Sequence, residues 1–364
     1  MKKRFFQIVF QPYTRLLLNI IFWFNKKIFF KKNSDRKNIV VFSLHKIGDT
    51  IFTFPAISIL LEIFGNDLII ICPSDSEKLY RQKFEKINCY TAESDDFWFR
   101  RIAKHKVRKI LKLLKPKIIF DITGTIQSLS LCIAQKAESI FGFNQEDFIN
   151  FYTKAVVKRK NPHLMNVYLD AVFQYVDQSK YLIEHEFNVN IEREKKILVH
   201  PNAGWKAKEW NLNKYIKLVG ELNRSFNSAL IVKINSIPDD IKENLIKENI
   251  PIIETKNIDD LIREINDCSV LIGNDSGPVY IANLLGKPTF TVYGPTNPEF
   301  SKPFGKYHKF IIKSLICSPK ENEQYCFTDA GRNGCPAYEC MNLLTEEEVF
   351  TSINAFLNKL EFIK

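Results

Sequence analysis

No apolar run in this sequence is long enough to cross a membrane as a helix. In the N-terminal arm the longest, Leu16 to Phe24, is interrupted by Asn19 and closed by Asn25, Lys26 and Lys27, whereas a spanning helix takes about 20 apolar residues. No small-residue cleavage site follows it, which argues against a signal peptide. A GxGxxG fingerprint is missing after every candidate strand, which weakens a dinucleotide-dependent dehydrogenase. There is no P-loop, no His-Glu-x-x-His and no Asp-x-Asp pair, and the six histidines are dispersed without metal-ligand spacing. The cysteines Cys317, Cys326, Cys335 and Cys340 follow C-x8-C-x8-C-x4-C and lack the tight C-x2-C knuckle of common zinc sites. Cys72, Cys89, Cys132 and Cys268 lie in apolar segments and read as small core residues. With no signal peptide the compartment is expected to be reducing, which disfavours structural disulfides. No fixed-period repeat is visible.

What is present is an ordinary globular composition, 45% hydrophobic and 26% charged over 364 residues. That length is about twice a domain of ~150 residues, so two domains are expected. The formal charge of +11 is unevenly placed. Residues 1–37 carry ten Lys/Arg against the single acid Asp35, and Arg100 to Lys117 carries nine with no acid. The remainder is mildly acidic. Residues 1–37 mix Phe5, Phe6, Phe22, Trp23, Phe24, Phe29 and Phe30 with Lys and Arg, the composition of a segment lying on an anionic membrane surface. Nucleic acid is not an expected partner.

From residue 38 short apolar runs alternate with amphipathic stretches. Ile39 to Leu44 reads as a strand buried on both faces, Thr50 to Phe64 as a helix stopped by Gly65, Leu68 to Cys72 as a strand, Phe97 to Leu114 as a basic helix and Lys117 to Ile122 as a strand. After a helix within 161–177 and a charged stretch, the rhythm restarts. Strands are expected at Lys196 to His200, Ala229 to Ile234, Ile250 to Ile253, Ser269 to Gly273 and Pro288 to Tyr293, with helices at Asn211 to Arg224, Gly277 to Leu285 and Thr345 to Leu360. The expectation is an α/β chain: a surface arm over 1–37, Rossmann-like domains over 38–180 and 181–344, and a closing helix over 345–364. Ligands of such open parallel sheets bind off the carboxyl ends of the strands.

Three strand ends carry polar chemistry. Val270 to Pro298 (VLIGNDSGPVYIANLLGKPTFTVYGPTNP) runs a strand into Gly273-Asn274-Asp275-Ser276-Gly277, with Pro278 opening a helix. Asp or Ser is a favoured N-cap, Pro a favoured first residue, and the helix N-terminus attracts phosphate. Val199 to Tyr215 runs a strand into Asn202-Ala203-Gly204 and then Lys206 and Lys208, point charges suited to a diphosphate. Ser43 to Ile57 places Gly48 and Asp49 after the first core strand. There Asp49 reads either as the N-cap of a helix starting at Thr50 or as a carboxylate able to take a proton from a hydroxyl.

These pieces, KIGDTIFTFPAI, KIIFDITGTIQS, VHPNAGWKAKEW and GNDSGPVYIANLLGKPTFTVYGPTNP, together with the late CPAYECMNLL, resemble glycosyltransferase family 9, the lipopolysaccharide heptosyltransferases, in order and over most of the chain from about residue 38. The resemblance implies a GT-B fold, with two Rossmann-like domains whose parallel sheets face a central cleft. It implies a nucleotide-diphospho-sugar donor, typically ADP-heptose, and a lipid-linked saccharide acceptor at the cytoplasmic face of the inner membrane, where the protein would be peripheral. By position, Asp49 would be the general base, flanked by Gly48 and Thr50 on the acceptor side. Lys208 would meet the donor diphosphate, with Ala203, Gly204, Asp275, Ser276, Gly277 and Tyr280 completing the donor side. The chain departs from the family where Tyr280 replaces a usual His, where Asn202 stands for a common Gly, and where Asn235 to Asp240 replaces a Gly-rich, Glu-bearing element.

The reaction expected is an inverting displacement with no metal and no cofactor. Two rivals stand beside it: another nucleotide-sugar GT-B enzyme (hexosyltransferase or epimerase-like), and a non-catalytic membrane- or nucleic-acid-binding adaptor on a degenerate transferase fold.

Overall fold

The computed structural model describes residues 16, 17, 20, 21, 23 and 24, and residues 36–361 except 94–105, 126, 127, 129, 130, 133, 134, 136, 145–151, 158–162, 184–186, 327–334 and 336. The chain divides into two compact units, one of residues 1–160 and 164–183, the other of residues 161–163 and 184–364.

The first unit is built on β1 (Ile39–Phe42), β2 (Leu68–Cys72), β3 (Asn88–Thr91), β4 (Ile118–Asp121), β5 (Ser139–Asn144) and β6 (Lys154–Val157). They form one sheet in the order β3-β2-β1-β4-β5-β6, and every neighbouring pair is parallel. Every residue of β1, β2 and β4 is buried, the signature of strands covered on both faces. The helices are α1 (Ile47–Phe52), α2 (Phe54–Phe64), α3 (Ser74–Lys83), α4 (Lys106–Leu114) and α5 (Leu164–Phe173).

The single helix expected over Thr50 to Phe64 is two. The first starts earlier, at Ile47, and the break falls at Thr53. Pro55 is the physical reason: it has no N–H to donate to the Ile51 carbonyl, so the ladder is interrupted there. The basic helix is described from Lys106, where Val107, Leu111 and Leu114 are buried; its expected first half lies outside the described residues. β3, β5 and β6 and helix α3 were not expected from the sequence. β3 is short and only partly buried, and β5 contains Gly142, so neither presents an unbroken apolar run.

The second unit repeats the plan with β7 (Lys196–His200), β8 (Ser228–Lys233), β9 (Ile252–Thr255), β10 (Cys268–Asn274), β11 (Thr289–Tyr293) and β12 (His308–Ile312). The order is β12-β11-β10-β7-β8-β9, again all parallel. Counted from β7, this is the same 3-2-1-4-5-6 order as in the first unit, the arrangement of a dinucleotide-type fold. Its helices are α6 (Leu212–Leu222), α7 (Asp239–Lys247), α8 (Ile258–Asn266), α9 (Gly277–Leu284), α10 (Glu339–Asn342) and α11 (Glu346–Lys359).

Caps explain several boundaries. Asn211 accepts the Asn213 N–H before α6, Asn257 accepts the N–H groups of Asp259 and Asp260 before α8, and Thr345 with Glu348 forms a capping box on α11. The buried face of α11, Val349, Ile353, Phe356 and Leu357, packs into the core with Phe290, Val270 and Trp210.

Of segment 1–37, the described residues Leu16, Leu17, Ile20, Ile21, Trp23 and Phe24 are helical and all exposed; the rest of that segment up to residue 35 lies outside the described residues. Among the described residues no helix is long and apolar enough to cross a membrane.

Candidate functional site

In the second unit three strand ends are tied together by buried polar groups. Asn274, the last residue of β10, is wholly buried. Its amide donates to the Pro201 carbonyl at 2.7 Å, and its oxygen accepts from the Trp210 N–H at 3.1 Å and the Tyr215 hydroxyl at 2.7 Å. A polar side chain placed in a core strand thus has each of these groups paired, and in doing so it fastens the loop after β7 to the end of β10. Trp210 completes the clamp by donating its indole N–H to the Leu344 carbonyl at 3.0 Å.

The next residue carries the charge. Asp275 is 3% exposed and accepts three hydrogen bonds: from Lys208 Nζ at 2.5 Å and Thr296 Oγ1 at 2.7 Å on Oδ2, and from the Tyr280 hydroxyl on Oδ1. Burial alone would push this carboxyl up. The Lys208 charge, with the bonds from Lys208, Thr296 and Tyr280, outweighs that cost and holds it below the ordinary carboxylate value. Tyr280 moves the opposite way: burial and the neighbouring Asp275 charge keep its hydroxyl protonated.

Ser276 caps α9 with an extended backbone, and its hydroxyl is buried without a hydrogen-bond partner. An unpaired buried donor beside the first N–H groups of an eight-residue helix is suited to an anionic oxygen. Gly277 opens that helix and Pro278 follows it.

The loop after β7 supplies the flank. The Ala203 N–H donates to Glu209 Oε1 at 3.2 Å, and Glu209 Oε2 accepts from Lys206 at 2.9 Å. Gly204 is exposed. Lys208 Nζ lies 4.8 Å from the Trp205 ring centre, and Trp205 packs against Tyr325 with centroids 5.0 Å apart. Tyr325 is held by a bridge to Thr296, while the Cys326 N–H donates to the Pro295 carbonyl at 2.9 Å. Gly294 precedes them because a Cβ there would come within 2.6 Å of Met341 Sδ. The structure therefore brings Ala203, Lys208, Asp275, Ser276, Gly277 and Tyr280 onto adjoining strand ends of one unit. Thr296, Trp205 and Tyr325 belong with them, although no role was read for them in the sequence. Thr296 lies in the loop Tyr293 to Pro298 at the next strand end, which in sequence reads either as part of the same pocket or as only a turn, and its bond to Asp275 ties it to the site.

In the first unit Asp49 lies in the first turn of α1 and is half-buried, as is Gly48. It is not an N-cap: that position falls to Lys46, because the helix begins three residues earlier than the periodicity indicates. Thr50 is wholly buried. Its hydroxyl donates to the Lys46 carbonyl at 3.1 Å and shares a bond with Ser76 Oγ at 2.8 Å, so it braces the turn from within.

All eight cysteines are free, and Cys89 is half-buried rather than a core residue. Burial and the neighbouring thiols Cys326, Cys335 and Cys317 push Cys340 up to about 11. Among the described residues no group of three or more His, Cys, Asp or Glu side chains is placed to hold a metal ion. Asp239 and Asp240 open α7 rather than forming such a group. The loop before it turns through Asn235, whose φ of 60° is left-handed.

Two all-parallel six-stranded sheets of identical strand order, with polar residues gathered at strand ends, define an α/β chain of the GT-B class. A family model described as glycosyltransferase family 9 (heptosyltransferase) matches residues 105–330, and the chain belongs to that family. The chain is 28% identical to lipooligosaccharide heptosyltransferase 2 of Haemophilus influenzae over 104 residues, 27% of this chain and 30% of that protein. It is 27% identical to lipooligosaccharide heptosyltransferase 2 of Campylobacter jejuni over 172 residues, 44% of this chain and 51% of that protein. These matches thus span about a third and about half of the relatives' lengths. Among solved structures, the family 9 glycosyl transferase from Veillonella parvula aligns with a TM-score of 0.71 at 17% identity, covering 89% of this chain and 98% of that one. Escherichia coli heptosyltransferase WaaC with ADP-2-deoxy-2-fluoro heptose aligns with a TM-score of 0.65 at 15% identity, covering 87% and 99%. The likeness to these structures is one of fold. The family match begins beyond the segment that carries Asp49.

Proposed function

We propose that this protein transfers a heptose or related sugar from a nucleotide-diphospho-sugar, with ADP-heptose the first donor to try, to a lipopolysaccharide-type acceptor. The observation that carries the reading is the group at the end of β10. A buried carboxylate, Asp275, is paired with Lys208 beside the unpaired Ser276 hydroxyl and the N-terminus of α9. Lys208 supplies positive charge, and Ser276 with the first N–H groups of α9 supplies donors for phosphate oxygens. Asp275 and the Thr296 oxygen offer acceptor lone pairs for sugar hydroxyls. That a related fold was solved with a fluorinated ADP-heptose supports the choice of donor.

In this reading the reaction inverts the anomeric centre in one in-line displacement and uses no metal. Asp49 takes the proton from the acceptor hydroxyl as its oxygen attacks the anomeric carbon. The departing nucleoside diphosphate is stabilised by Lys208 and the α9 N-terminus. The test is release of nucleoside diphosphate by the full-length protein given ADP-heptose and a lipid A–core acceptor. Acceptor-dependent release is the expected result. No release with that donor or with a panel of other nucleotide sugars would overturn the reading.

The protein works, in the same proposal, as a peripheral protein at the cytoplasmic face of the inner membrane. The exposed apolar residues Leu16, Leu17, Ile20, Ile21, Trp23 and Phe24, set among basic neighbours, support an interfacial arm. Removing residues 1–32 should abolish co-sedimentation with vesicles containing anionic lipid while leaving the rest of the chain folded. Unchanged sedimentation would dismiss the arm.

A further inference from the structure

A buried carboxylate with no part in the reaction just described closes the end of β4. Asp121 is wholly buried. Its Oδ1 accepts from the N–H groups of Thr123 at 3.2 Å and Gly124 at 3.0 Å, and its Oδ2 from Ser128 Oγ at 2.8 Å and Tyr152 Oη at 3.0 Å. Tyr152 reaches it by lying across Gly142 of β5, where any Cβ would come within 2.2 Å of the ring. A carboxylate is kept in a core only when its oxygens are paired, as the four bonds here pair them, and those bonds tie three separate stretches of chain to one charge.

The turn that Asp121 holds is fastened to the segment bearing Asp49. Thr123 Oγ1 donates to the Phe42 carbonyl at 3.0 Å and accepts from the Leu44 N–H at 2.9 Å. The His45 ring bonds to the Ile122 carbonyl. On the other side the same segment is braced by hydroxyls. Ser76 Oγ donates to the His45 carbonyl at 3.2 Å, and Tyr80 Oη meets Ser43 Oγ at 2.7 Å and Thr53 Oγ1 at 2.6 Å. Of the groups named here, Asp121 is the one that carries negative charge.

We infer that Asp121 is a positioning residue: its negative charge fixes the 122–124 turn, and through Thr123 and Ile122 that turn fixes residues 43–49 and the Asp49 carboxylate. This rests on Asp49 acting as the base.

The charge is titratable in an accessible range. Burial pushes the Asp121 carboxyl up to about 6, against the bonds from Gly124, Ser128, Tyr152 and Thr123. The titratable side chains facing it are Tyr152 and Cys132, both pushed well up by burial and by the Asp121 charge, so both stay protonated at neutral pH. His45, pushed down to about 4 by burial, stays neutral. On acidification through about 6 the proton is taken on Oδ2, where the Ser128 and Tyr152 hydroxyls can reverse to accept, and the charge-assisted bonds to the turn weaken. The sign matters. A carboxyl whose folded pKa lies above its unfolded value adds stability as pH falls between the two. A loss of turnover in that window is therefore not unfolding through Asp121.

The test is the pH dependence of kcat for the full-length protein and for Asp121→Asn, with Thr123→Val as the second variant. In the unaltered protein kcat should fall several-fold on acidification through about pH 6. That limb should vanish in Asp121→Asn, with kcat several-fold below the neutral-pH value and the donor KM within about twofold. Thr123→Val, which leaves Asp121 in place, should flatten it. A merely structural role would lower kcat without moving the limb. Hydrogen exchange at the Leu44 amide, read as a protection factor from pH 5 to 8, needs no substrate, and so separates this inference from the proposed function. Protection should drop below about pH 6 in the unaltered protein and be low throughout in Asp121→Asn. An acid limb left unmoved at about pH 6 in Asp121→Asn, or Leu44 protection equal in both proteins, overturns the inference.

Discussion

Asp49→Asn should lower kcat by about 10²–10⁴-fold, the range that a positioned general base contributes, while leaving the dissociation constant of the nucleotide-sugar within about twofold. The two halves of that expectation come from different parts of the chain. Asp49 belongs to the first unit, whereas the groups proposed for the donor (Lys208, Asp275, Ser276 and Gly277) all belong to the second. An amide at position 49 keeps the shape of the carboxylate and cannot take a proton near neutral pH. Asp49 sits in the first turn of a six-residue helix that has no side-chain cap, and a negative charge at such a place contributes about 0.3–1 kcal/mol. A drop in kcat at unchanged donor affinity is the pattern of an interaction made only in the transition state. Turnover equal to that of the unaltered enzyme would remove Asp49 from the chemistry and leave the donor assignments standing. Loss of donor binding in step with kcat would mean that the substitution had disturbed folding instead.

How much of this could be read from the residues differs by layer, for physical reasons. Buried parallel strands announce themselves as continuous apolar runs, which is why Ile39–Phe42, Leu68–Cys72 and Lys196–His200 were legible. Edge strands are half-covered and need no such run, so β3 and β12 were not. The donor-side residues were legible one by one because each follows a strand in a small-residue loop. Their pairing was not: Lys208 and Asp275 are 67 positions apart, and only the fold puts the ammonium on the carboxylate. The same holds for Asp121. In sequence it is a lone acid near the end of an apolar strand, in a segment to which no role was given, and its partner Tyr152 lies 31 residues away, across a glycine that makes sense only once β4 and β5 are paired. The N-cap reading of Asp49 failed because the helix start is set by Lys46 and Ile47, where no favoured cap residue marks it.

The second large effect belongs to the Lys208–Asp275 pair. Asp275→Asn leaves Lys208, 16% exposed, with its buried counter-charge gone, and breaking a buried pair from one side costs about 3–5 kcal/mol. For a domain of this size that is a fall in Tm of about 6–20 °C, alongside a loss of donor affinity. Lys208→Met should cost a similar amount for the mirror reason, since it strands a carboxylate that keeps Thr296 and Tyr280 but no cation. The double variant should recover much of the stability, because a pair replaced by neutral groups leaves no lone buried charge, whereas donor binding should stay lost. That split separates a structural pair from one that also serves the ligand. The pH dependence follows from the direction of the shift. The folded-state carboxyl of Asp275 lies below its ordinary value, so its contribution is fully present above about pH 4 and is lost as pH falls through the lower folded pKa. The Tm gap between the unaltered protein and Asp275→Asn should therefore be constant from neutral pH down to about 4 and close only in stronger acid. A gap that closes nearer neutrality would show that Asp275 is protonated in the folded protein. The ion pair would then be a bond from the Lys208 ammonium to a neutral carboxyl, and Lys208 would be free to give its whole charge to the donor.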